Sequence, residues 1–352
     1  MFLNSEEKII REGFIVMEMA SKMERIFGAI SYYHMQHMIE KRPLDINIET
    51  INFCPLKCVF CCNRVYHRKP VVMDNELFEN IVKQYYDIGG GGLGIGSMQS
   101  DFLSDPFLLE RMKIIRKYKK RLWIYSTTPL ISCKKYSDKE LIYILRMFDY
   151  LQISVEGHDK ESYKIMAGIN GFEIMKEQLG RVKRIIDEQS LNIKIDLCFR
   201  SYKPRELLKS ELYRELSSIF NVYEVRNTFF SWFGTIKQNE LPEGAKVICK
   251  RNERRRENCA APNATLAVMA DGKVVGCGCI DWLEKYIIGD CRKTPLLEIW
   301  RNKKAIAFRN AFSQGRIPAI CKECALYTSV SCMRNKKFLK YKPMDGVYYV
   351  KK

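Results

Sequence analysis

Short apolar runs alternate with longer amphipathic segments between residues 45 and 227, and this alternation limits the folds open to the chain. The apolar runs predict six strands, at residues 45–51, 92–97, 122–126, 150–155, 192–199 and 222–227. The amphipathic segments predict helices at residues 75–88, 106–118, 138–147, 171–189 and 204–220. Strands and helices in alternation favour a parallel sheet built from βα units. Six units predict an α/β fold, a partial (β/α)6 TIM-like barrel rather than a closed eightfold one.

The alternation ends after the sixth predicted strand. Residues 237–257 are polar and basic and predict a linker. Short strands at residues 265–269 and 273–275, joined by Asp271-Gly272, predict a hairpin, because Asp-Gly favours the tight turns of hairpins. A helix at residues 295–312 and a cysteine-rich tail follow. The predicted domains are an N-terminal helical extension (1–45), the barrel (46–235), and a linker with a small cysteine-rich α+β domain (236–352).

The composition predicts a soluble chain that attracts anions. Among its 352 residues there is no apolar run long enough to span a bilayer and no signal peptide, so we expect a cytoplasmic protein. The formal net charge of +18 attracts anionic partners. No nucleic-acid-binding motif accompanies the charge, so an anionic small-molecule substrate or plain solubility is favoured over nucleic acid.

Three of the fourteen cysteines, Cys54, Cys58 and Cys61, follow the first predicted strand in one short loop. In a reducing cytosol, clustered cysteines bind metal more often than they form disulfides. Iron–sulfur clusters are normally held by four cysteines, so three thiolates predict a [4Fe–4S] cluster with one iron left open for another ligand. The alternative is zinc, which prefers paired Cys-x2-Cys units and a fourth protein ligand. The adjacent Cys62 is predicted to be a bystander.

The spacing Cys54-x3-Cys58-x2-Cys61 after the first strand of a βα series resembles the radical S-adenosylmethionine superfamily. The resemblance implies that S-adenosylmethionine chelates the open iron through its amino and carboxyl groups. An electron from the cluster, supplied by a reducing protein such as a flavodoxin or ferredoxin, would cleave this cofactor to methionine and a 5′-deoxyadenosyl radical, which abstracts hydrogen from a substrate. Phe60, the aromatic residue before the third cysteine, would pack near the adenine.

Later strand ends carry further matches to the same superfamily. Asp101 lies in a stretch where the family usually has Gly-Gly-Glu-Pro, and it would supply a carboxylate to the methionyl amino group, although the glycines and the proline are missing. At the fourth strand, Ser154 would contact the cofactor and Glu156 its ribose or the substrate. Arg200, which ends the fifth strand, would face the cofactor carboxylate. The alternatives are an ordinary strand-end serine and a surface arginine.

A second set of cysteines lies in the C-terminal third. The predicted hairpin brings Cys259 and Cys277 together, and Cys321 and Cys324 supply two more thiolates, which is the four-cysteine count of a fully ligated [4Fe–4S] cluster. Zinc bound by the same thiolates is the alternative. The pattern over residues 259–332 resembles the SPASM/twitch auxiliary domain of radical enzymes and implies one auxiliary cluster. Three more cysteines leave a second auxiliary cluster open: Cys279, Cys291 and Cys332.

Between the two cysteine sets, the segment from Phe229 to Gly234 resembles an aromatic-Trp-Gly segment that precedes the auxiliary domain in some relatives. It is predicted to line the substrate side of the barrel, with core packing of Trp232 as the alternative.

Two outcomes of hydrogen abstraction are open. The substrate radical can lose an electron to the auxiliary cluster, which gives dehydrogenation or a crosslink, or a thiol can return hydrogen from the other face, which gives epimerisation. Cys198 and Cys249 are the unassigned cysteines that could act as hydrogen donors, with a buried inert thiol as the alternative for each.

The resemblance also limits the classes of substrate that are expected. Twitch relatives act on aminoglycoside-type sugars and cyclitols, whereas SPASM relatives often modify ribosomal peptides. The region before the first strand, about 45 residues, is too short for the leader-peptide module of many peptide modifiers. We therefore expect dehydrogenation or epimerisation of a carbohydrate-like small molecule, with a phosphate or nucleotide group suited to the positive charge. Radical modification of a ribosomal peptide is the alternative, and a non-catalytic iron–sulfur or zinc protein that binds nucleic acid is the third reading.

Overall fold

Six parallel strands form the centre of the structure, a computed structural model that describes residues 37–65, 68–96, 100–248, 257–278, 281–322, 324–330 and 347–348. They pair in chain order: β1 Asp45–Ile48, β2 Gly91–Ile95, β3 Leu122–Thr128, β4 Tyr150–Glu156, β5 Lys194–Arg200 and β6 Asn221–Arg226. Every neighbouring pair within this set is parallel. Parallel strands joined by helical crossovers confirm the predicted α/β partial barrel.

The crossovers and outer layer of the barrel are helical. The helices are α1 Asn75–Asp87, α2 Leu108–Tyr118, α3 Asp138–Leu145, α4 Lys160–Ala167, α5 Phe172–Glu188, α6 Pro204–Lys209 and α7 Glu211–Ile219. Apolar residues at helical spacing make one face of α1 buried, including Phe78, Ile81 and Val82. Asp74 accepts a hydrogen bond from the Leu77 amide at 2.7 Å and so fixes where α1 begins.

The structure departs from the predicted elements in two places. The helix predicted at residues 204–220 is broken at Ser210, whose hydroxyl accepts from the Tyr213 amide and begins α7 as a separate helix. The short helix α4 was not predicted, because eight residues between a strand and a long helix give little periodic pattern. Asp159 and Ser162 form a capping box at its start.

The C-terminal third extends the same sheet. The predicted hairpin is present as β9 Thr265–Val268 and β10 Lys273–Val275, which pair antiparallel. Strand β9 also pairs in parallel with β1. A further strand, Ile287–Asp290, follows β10, and Val347–Tyr348 pairs antiparallel with β6 at the opposite edge.

The remaining elements surround the C-terminal cysteines. A two-stranded parallel sheet joins β7 Thr228–Phe230 to β8 Lys246–Ile248. The helices are α8 Ala260–Ala264, α9 Leu296–Arg301, α10 Lys303–Arg309 and α11 Ala319–Lys322. The helix predicted at residues 295–312 is divided at Asn302, whose side chain accepts from the Ala305 amide. In the part of the chain that the structure describes, every helix is too short or too polar to cross a membrane.

Asp45, at the start of β1, makes the free energy of unfolding depend on pH. The Tyr125 hydroxyl donates to both of its carboxylate oxygens, at 2.9 and 2.8 Å. Burial nevertheless raises the pKa of Asp45 to about 6, and the hydrogen bond offsets this only in part. Because the folded protein binds this proton more tightly than the unfolded chain, its contribution to the free energy of unfolding is lost as the pH rises from about 4 to about 6.

Asp45→Asn is therefore expected to match the native protein in free energy of unfolding at pH 4 and to exceed it by about 1–3 kcal/mol at pH 7. Urea unfolding at a series of pH values measures the difference. Asp87→Asn, at an exposed carboxylate, controls for the change in net charge. A difference for Asp45→Asn that stayed constant over this pH range would contradict the argument.

Candidate active site

A cavity of about 190 Å³ lies at the C-terminal ends of the barrel strands. Three of the wall residues are Cys54, Cys58 and Cys61, and Glu156 and Arg200 belong to the same wall. A larger hollow of about 440 Å³ lies between α5 and α7, but its walls contain surface residues and no cysteine. In parallel α/β folds, ligands bind at the C-terminal ends of the strands, so the smaller cavity is the candidate active site.

The cysteine loop is docked onto the end of α4. The amides of Lys57 and Val59 donate to the carbonyls of Ala167 and Met166 at 2.9 and 3.0 Å. Gly168 has a φ of +72°, and a Cβ there would lie 2.4 Å from the Lys57 carbonyl oxygen. Only glycine allows this close approach, so the sequence after α4 helps to hold the cysteines over the barrel.

The thiols at this wall suit a cationic group. Burial raises the pKa of Cys54 to about 12 and also raises the pKa of Cys58 well above its usual value, whereas a hydrogen bond with Cys62 lowers the pKa of Cys61. Metal binding reverses such a penalty, since a coordinating thiol is deprotonated. Three soft thiol donors on one cavity wall therefore fit an iron–sulfur cluster.

The distances between potential metal-binding side chains are also relevant to the zinc alternative. Among the described residues, no three Cys, His, Asp or Glu side chains are grouped closely enough to share one metal ion. Zinc needs its ligands at about 2.0–2.3 Å from a single centre, whereas a cubane binds each thiolate at a different iron.

Cys62 is fully buried, and it begins a short 3₁₀ turn beside Cys61.

Glu156 and Arg200 form an ion pair at the mouth of the barrel. They are register partners on β4 and β5, and Nη1 of Arg200 lies 3.0 Å from Oε1 of Glu156. Glu156 is 2% exposed, and among the described residues its second oxygen has no hydrogen-bond partner. Burial raises the pKa of Glu156, and the charge of Arg200 opposes that shift. A buried acceptor without a donor fits a ligand that supplies hydroxyl or ammonium hydrogens.

The remaining predicted cofactor residues fall in two groups. Ser154 and Phe60 line the cavity, and the Arg200 guanidinium lies 5.7 Å from the centre of the Phe60 ring. Asp101 is fully buried, its carboxylate accepts a hydrogen bond from the Thr128 hydroxyl at 2.7 Å, and burial raises its pKa. Among the described residues of that stretch, Gly96 and Ser100 line the cavity. The role predicted for Asp101 stays a prediction.

The four C-terminal cysteines lie in one cluster. Cys259, Cys277 and Cys321 are buried together with Phe308, Phe312 and Ile320, and Cys324 packs against them. The Leu326 amide donates to the Cys324 sulfur at 3.3 Å, a contact of the kind that tunes cluster sulfurs. Four thiols in an apolar pocket fit a fully ligated cubane.

Among the described residues, Cys291 and Cys198 are separate from this cluster. Cys291 is buried in the main core, where burial raises its pKa to about 12. Cys249, Cys279 and Cys332 lie outside the described residues. Cys198 is fully buried on β5, and its thiol donates to Oε1 of Glu224 at 3.0 Å.

Several contacts between the first cysteine region and the C-terminal hairpin were not predicted. Glu49, at the end of β1, accepts two hydrogen bonds from Arg68, at 2.9 and 3.0 Å, and one from the Ala270 amide. Arg68 also pairs with Glu284 at 2.9 Å. These contacts tie the loop after the first cysteines to the C-terminal hairpin. The pairing joins sequence positions so far apart that no local pattern indicates it.

Two family models match the chain. The model of the radical SAM superfamily matches residues 48–195, and that of the SPASM iron–sulfur cluster-binding domain matches residues 259–325. No curated protein matches the chain in sequence.

Solved structures share the fold. BtrN in complex with AdoMet and 2-DOIA is 17% identical, with a TM-score of 0.54 over 81% of this chain and 94% of that one. The protein anSMEcpe with bound AdoMet and Cp18Cys peptide is 16% identical, with a TM-score of 0.53 over 85% and 96%. Streptococcus suis SuiB bound to precursor peptide SuiA is 14% identical, with a TM-score of 0.54 over 90% and 79%.

Proposed function

The chain belongs to the radical S-adenosylmethionine superfamily and carries an SPASM-type iron–sulfur domain. We propose that it dehydrogenates a small carbohydrate-like substrate. When bound, the cluster at Cys54, Cys58 and Cys61 supplies the electron, taken from a flavodoxin or ferredoxin, that cleaves S-adenosylmethionine and starts hydrogen abstraction. The C-terminal cysteines would hold an auxiliary cluster, which can take up an electron in the oxidation.

The protein's own residues bind and enclose the reactants. The three cysteines and the Glu156–Arg200 pair line one cavity, so a ligand bound there can contact both. Phe60 closes part of the wall and stacks on Phe229 at 4.4 Å between ring centres, which keeps water away from the reacting carbon.

The observation that carries the substrate proposal is a strip of side chains beside Arg200. Arg226 is the register partner of Arg200, and Thr228 and Phe230 follow at the two-residue spacing that places side chains on one face of an extended segment. Among the described residues, Nε of Arg226 and Oγ1 of Thr228 are buried without hydrogen-bond partners. The Arg226 guanidinium lies 6.0 Å from the centre of the Phe230 ring.

This strip combines a donor, a hydroxyl and an aromatic ring. Such a set matches a hydroxyl-rich ring, whose oxygens both donate and accept hydrogen bonds. The Arg226 guanidinium is paired with Glu224 at 2.8 Å, so it is the net charge of +18 that favours a phosphorylated or nucleotide-linked form. The contact of Cys198 with buried Glu224 favours dehydrogenation over epimerisation with Cys198 as the hydrogen donor.

The test uses fractions of an extract from the source cells, grown on deuterated sugar. The reconstituted enzyme is expected to transfer deuterium into 5′-deoxyadenosine with the small-molecule fraction. Thr228→Val, which removes one hydrogen bond at nearly constant shape, is expected to lower substrate-stimulated over unstimulated 5′-deoxyadenosine formation roughly tenfold. Deuterium transfer from the peptide fraction alone would replace this proposal with radical peptide modification, to which the fold likeness to SuiB and anSMEcpe lends support.

A further inference from the structure

Three consecutive residues after β7 adopt a backbone conformation that is rare for side-chain-bearing residues. The φ angles of Trp232, Phe233 and Gly234 are +47°, +61° and +76°. Glycine tolerates this left-handed region, but two bulky residues in succession do not adopt it without surrounding contacts that hold them there. Strained backbone of this kind is concentrated at functional sites, so the contacts of this turn indicate what it serves.

Trp232 reaches the loop of the first three cysteines. Its indole Nε1 donates to the carbonyl of Phe60 at 3.0 Å, directly before Cys61. The same indole meets the ring of Trp282 edge-on, with 6.4 Å between centres and an interplanar angle of 86°. This aromatic contact and the hydrogen bond together fix the orientation of Trp232.

Trp282 is in turn fixed to the second cysteine set. It is 1% exposed, and the preceding residue, Asp281, donates its amide to the carbonyl of Cys277 at 3.0 Å. The Asp281 carboxylate accepts from the amides of Lys285 and Tyr286, both at 2.9 Å, which holds this segment in one conformation.

The neighbouring side chain of the turn points to the same cysteines. Phe233 packs against the buried cluster that contains Cys259, Cys277 and Cys321. Adjacent residues of one strained turn therefore contact the first cysteine loop and the C-terminal cysteine cluster.

We propose that the turn from Trp232 to Gly234 couples the two iron–sulfur sites. An intact C-terminal cysteine site holds the turn in its left-handed form, and Trp232 then fixes the backbone at Phe60, beside the place where S-adenosylmethionine binds. Trp232 is a positioning residue in this account, because it acts through Phe60. The coupling is independent of which substrate the enzyme takes. It makes affinity for S-adenosylmethionine at one site depend on the integrity of the other, and such couplings typically change affinity about 5–150-fold.

The test is a double-mutant cycle on four reconstituted proteins: the native chain, Trp232→Phe, Cys321→Ala with Cys324→Ala, and all three changes together. The dissociation constant of S-adenosylmethionine is measured anaerobically for each. Trp232→Phe keeps an aromatic ring but removes the donor to Phe60, and we expect about tenfold weaker binding. The cysteine pair is expected to weaken binding similarly, and the combined protein no further. Effects that multiply would overturn the proposal, as would native affinity in Trp232→Phe.

Two further variants separate coupling from general damage. Phe233→Ala removes the contact with the C-terminal cysteines without changing a thiol, and it is expected to reproduce the weaker binding and to change the electron paramagnetic resonance spectrum of the first cluster. Trp123→Phe, at an indole that is 50% exposed on β3, is the matched control and should change neither. Native affinity in Phe233→Ala, or an equal loss in Trp123→Phe, would contradict the coupling.

Discussion

Replacement of Cys54, Cys58 and Cys61 by alanine is expected to abolish 5′-deoxyadenosine formation and to lower the iron content from about eight to about four per chain. The three thiols share one wall of the active-site cavity, so no cluster can be held there without them. The iron that stays belongs to the four C-terminal cysteines, which lie in a separate buried cluster. Iron and sulfide analysis after anaerobic reconstitution measures the change, together with chromatography of the nucleoside product.

Cys133→Ala is the matched control for this variant, because Cys133 is a fully buried cysteine of the main core. It should keep all of the iron. A triple variant that still formed 5′-deoxyadenosine would contradict the assignment of the first site. Native protein with only about four irons, all lost in the triple variant, would mean that the C-terminal cysteines bind zinc or nothing. The proposed dehydrogenation would then lose its electron acceptor, and a redox-neutral reaction would be favoured.

The second large effect is expected at Arg200, where Arg200→Met should lower the free energy of unfolding by about 3–5 kcal/mol. The change leaves the Glu156 carboxylate buried and without its cationic partner. Burial already raises the pKa of Glu156, and removal of Arg200 raises it further, so the loss should be larger at pH 8 than at pH 5. Urea unfolding of the cluster-free protein measures it. Binding of S-adenosylmethionine to the reconstituted variant should also be lost, because Arg200 lines the cavity.

A double variant separates the two roles of this pair. Glu156→Gln with Arg200→Met removes both charges, so most of the stability should return, whereas cofactor binding should not. Arg184→Met breaks an exposed pair with Asp138 and is expected to cost less than about 1 kcal/mol. A loss for Arg200→Met as small as that of Arg184→Met would show that water reaches the Glu156–Arg200 pair.

The strands and helices of the barrel could be predicted because each depends on a pattern of residues that are close together in the sequence. Each strand of the barrel is a short apolar run, and all six lie within a few residues of their predicted positions. The break at Ser210 depends on one capping hydrogen bond, which a continuous amphipathic pattern does not reveal. The pairing of β9 with β1 was not predicted, because a hydrophobic pattern indicates a strand but not its neighbour.

The candidate active site could likewise be predicted only in part. The spacing of the first three cysteines indicated a cluster, and the structure places all three on one wall. The sequence could not distinguish Ser100 from Asp101 as the residue that faces the cavity, because adjacent residues in a loop have no fixed period. Arg226 and Thr228, which belong to the proposed substrate strip, were not predicted, although Arg226 ends β6 and Thr228 begins β7 with the two-residue spacing of one face. No sequence pattern singled out Trp282, because its proposed role depends on a contact with Trp232, which is distant in the sequence.

The parallel pairing of β1 with β9 also has a consequence for how the chain is made. Asp45 and its sheet partner Thr265 are 220 positions apart in the order of synthesis. The barrel strands from β1 to β6 can assemble while the rest of the chain is still being translated. During that interval the outer edge of β1 lacks its partner, and unpaired strand edges promote association with other chains. Neighbouring nascent chains on one messenger RNA can therefore associate through this edge until the C-terminal hairpin has emerged from the ribosome.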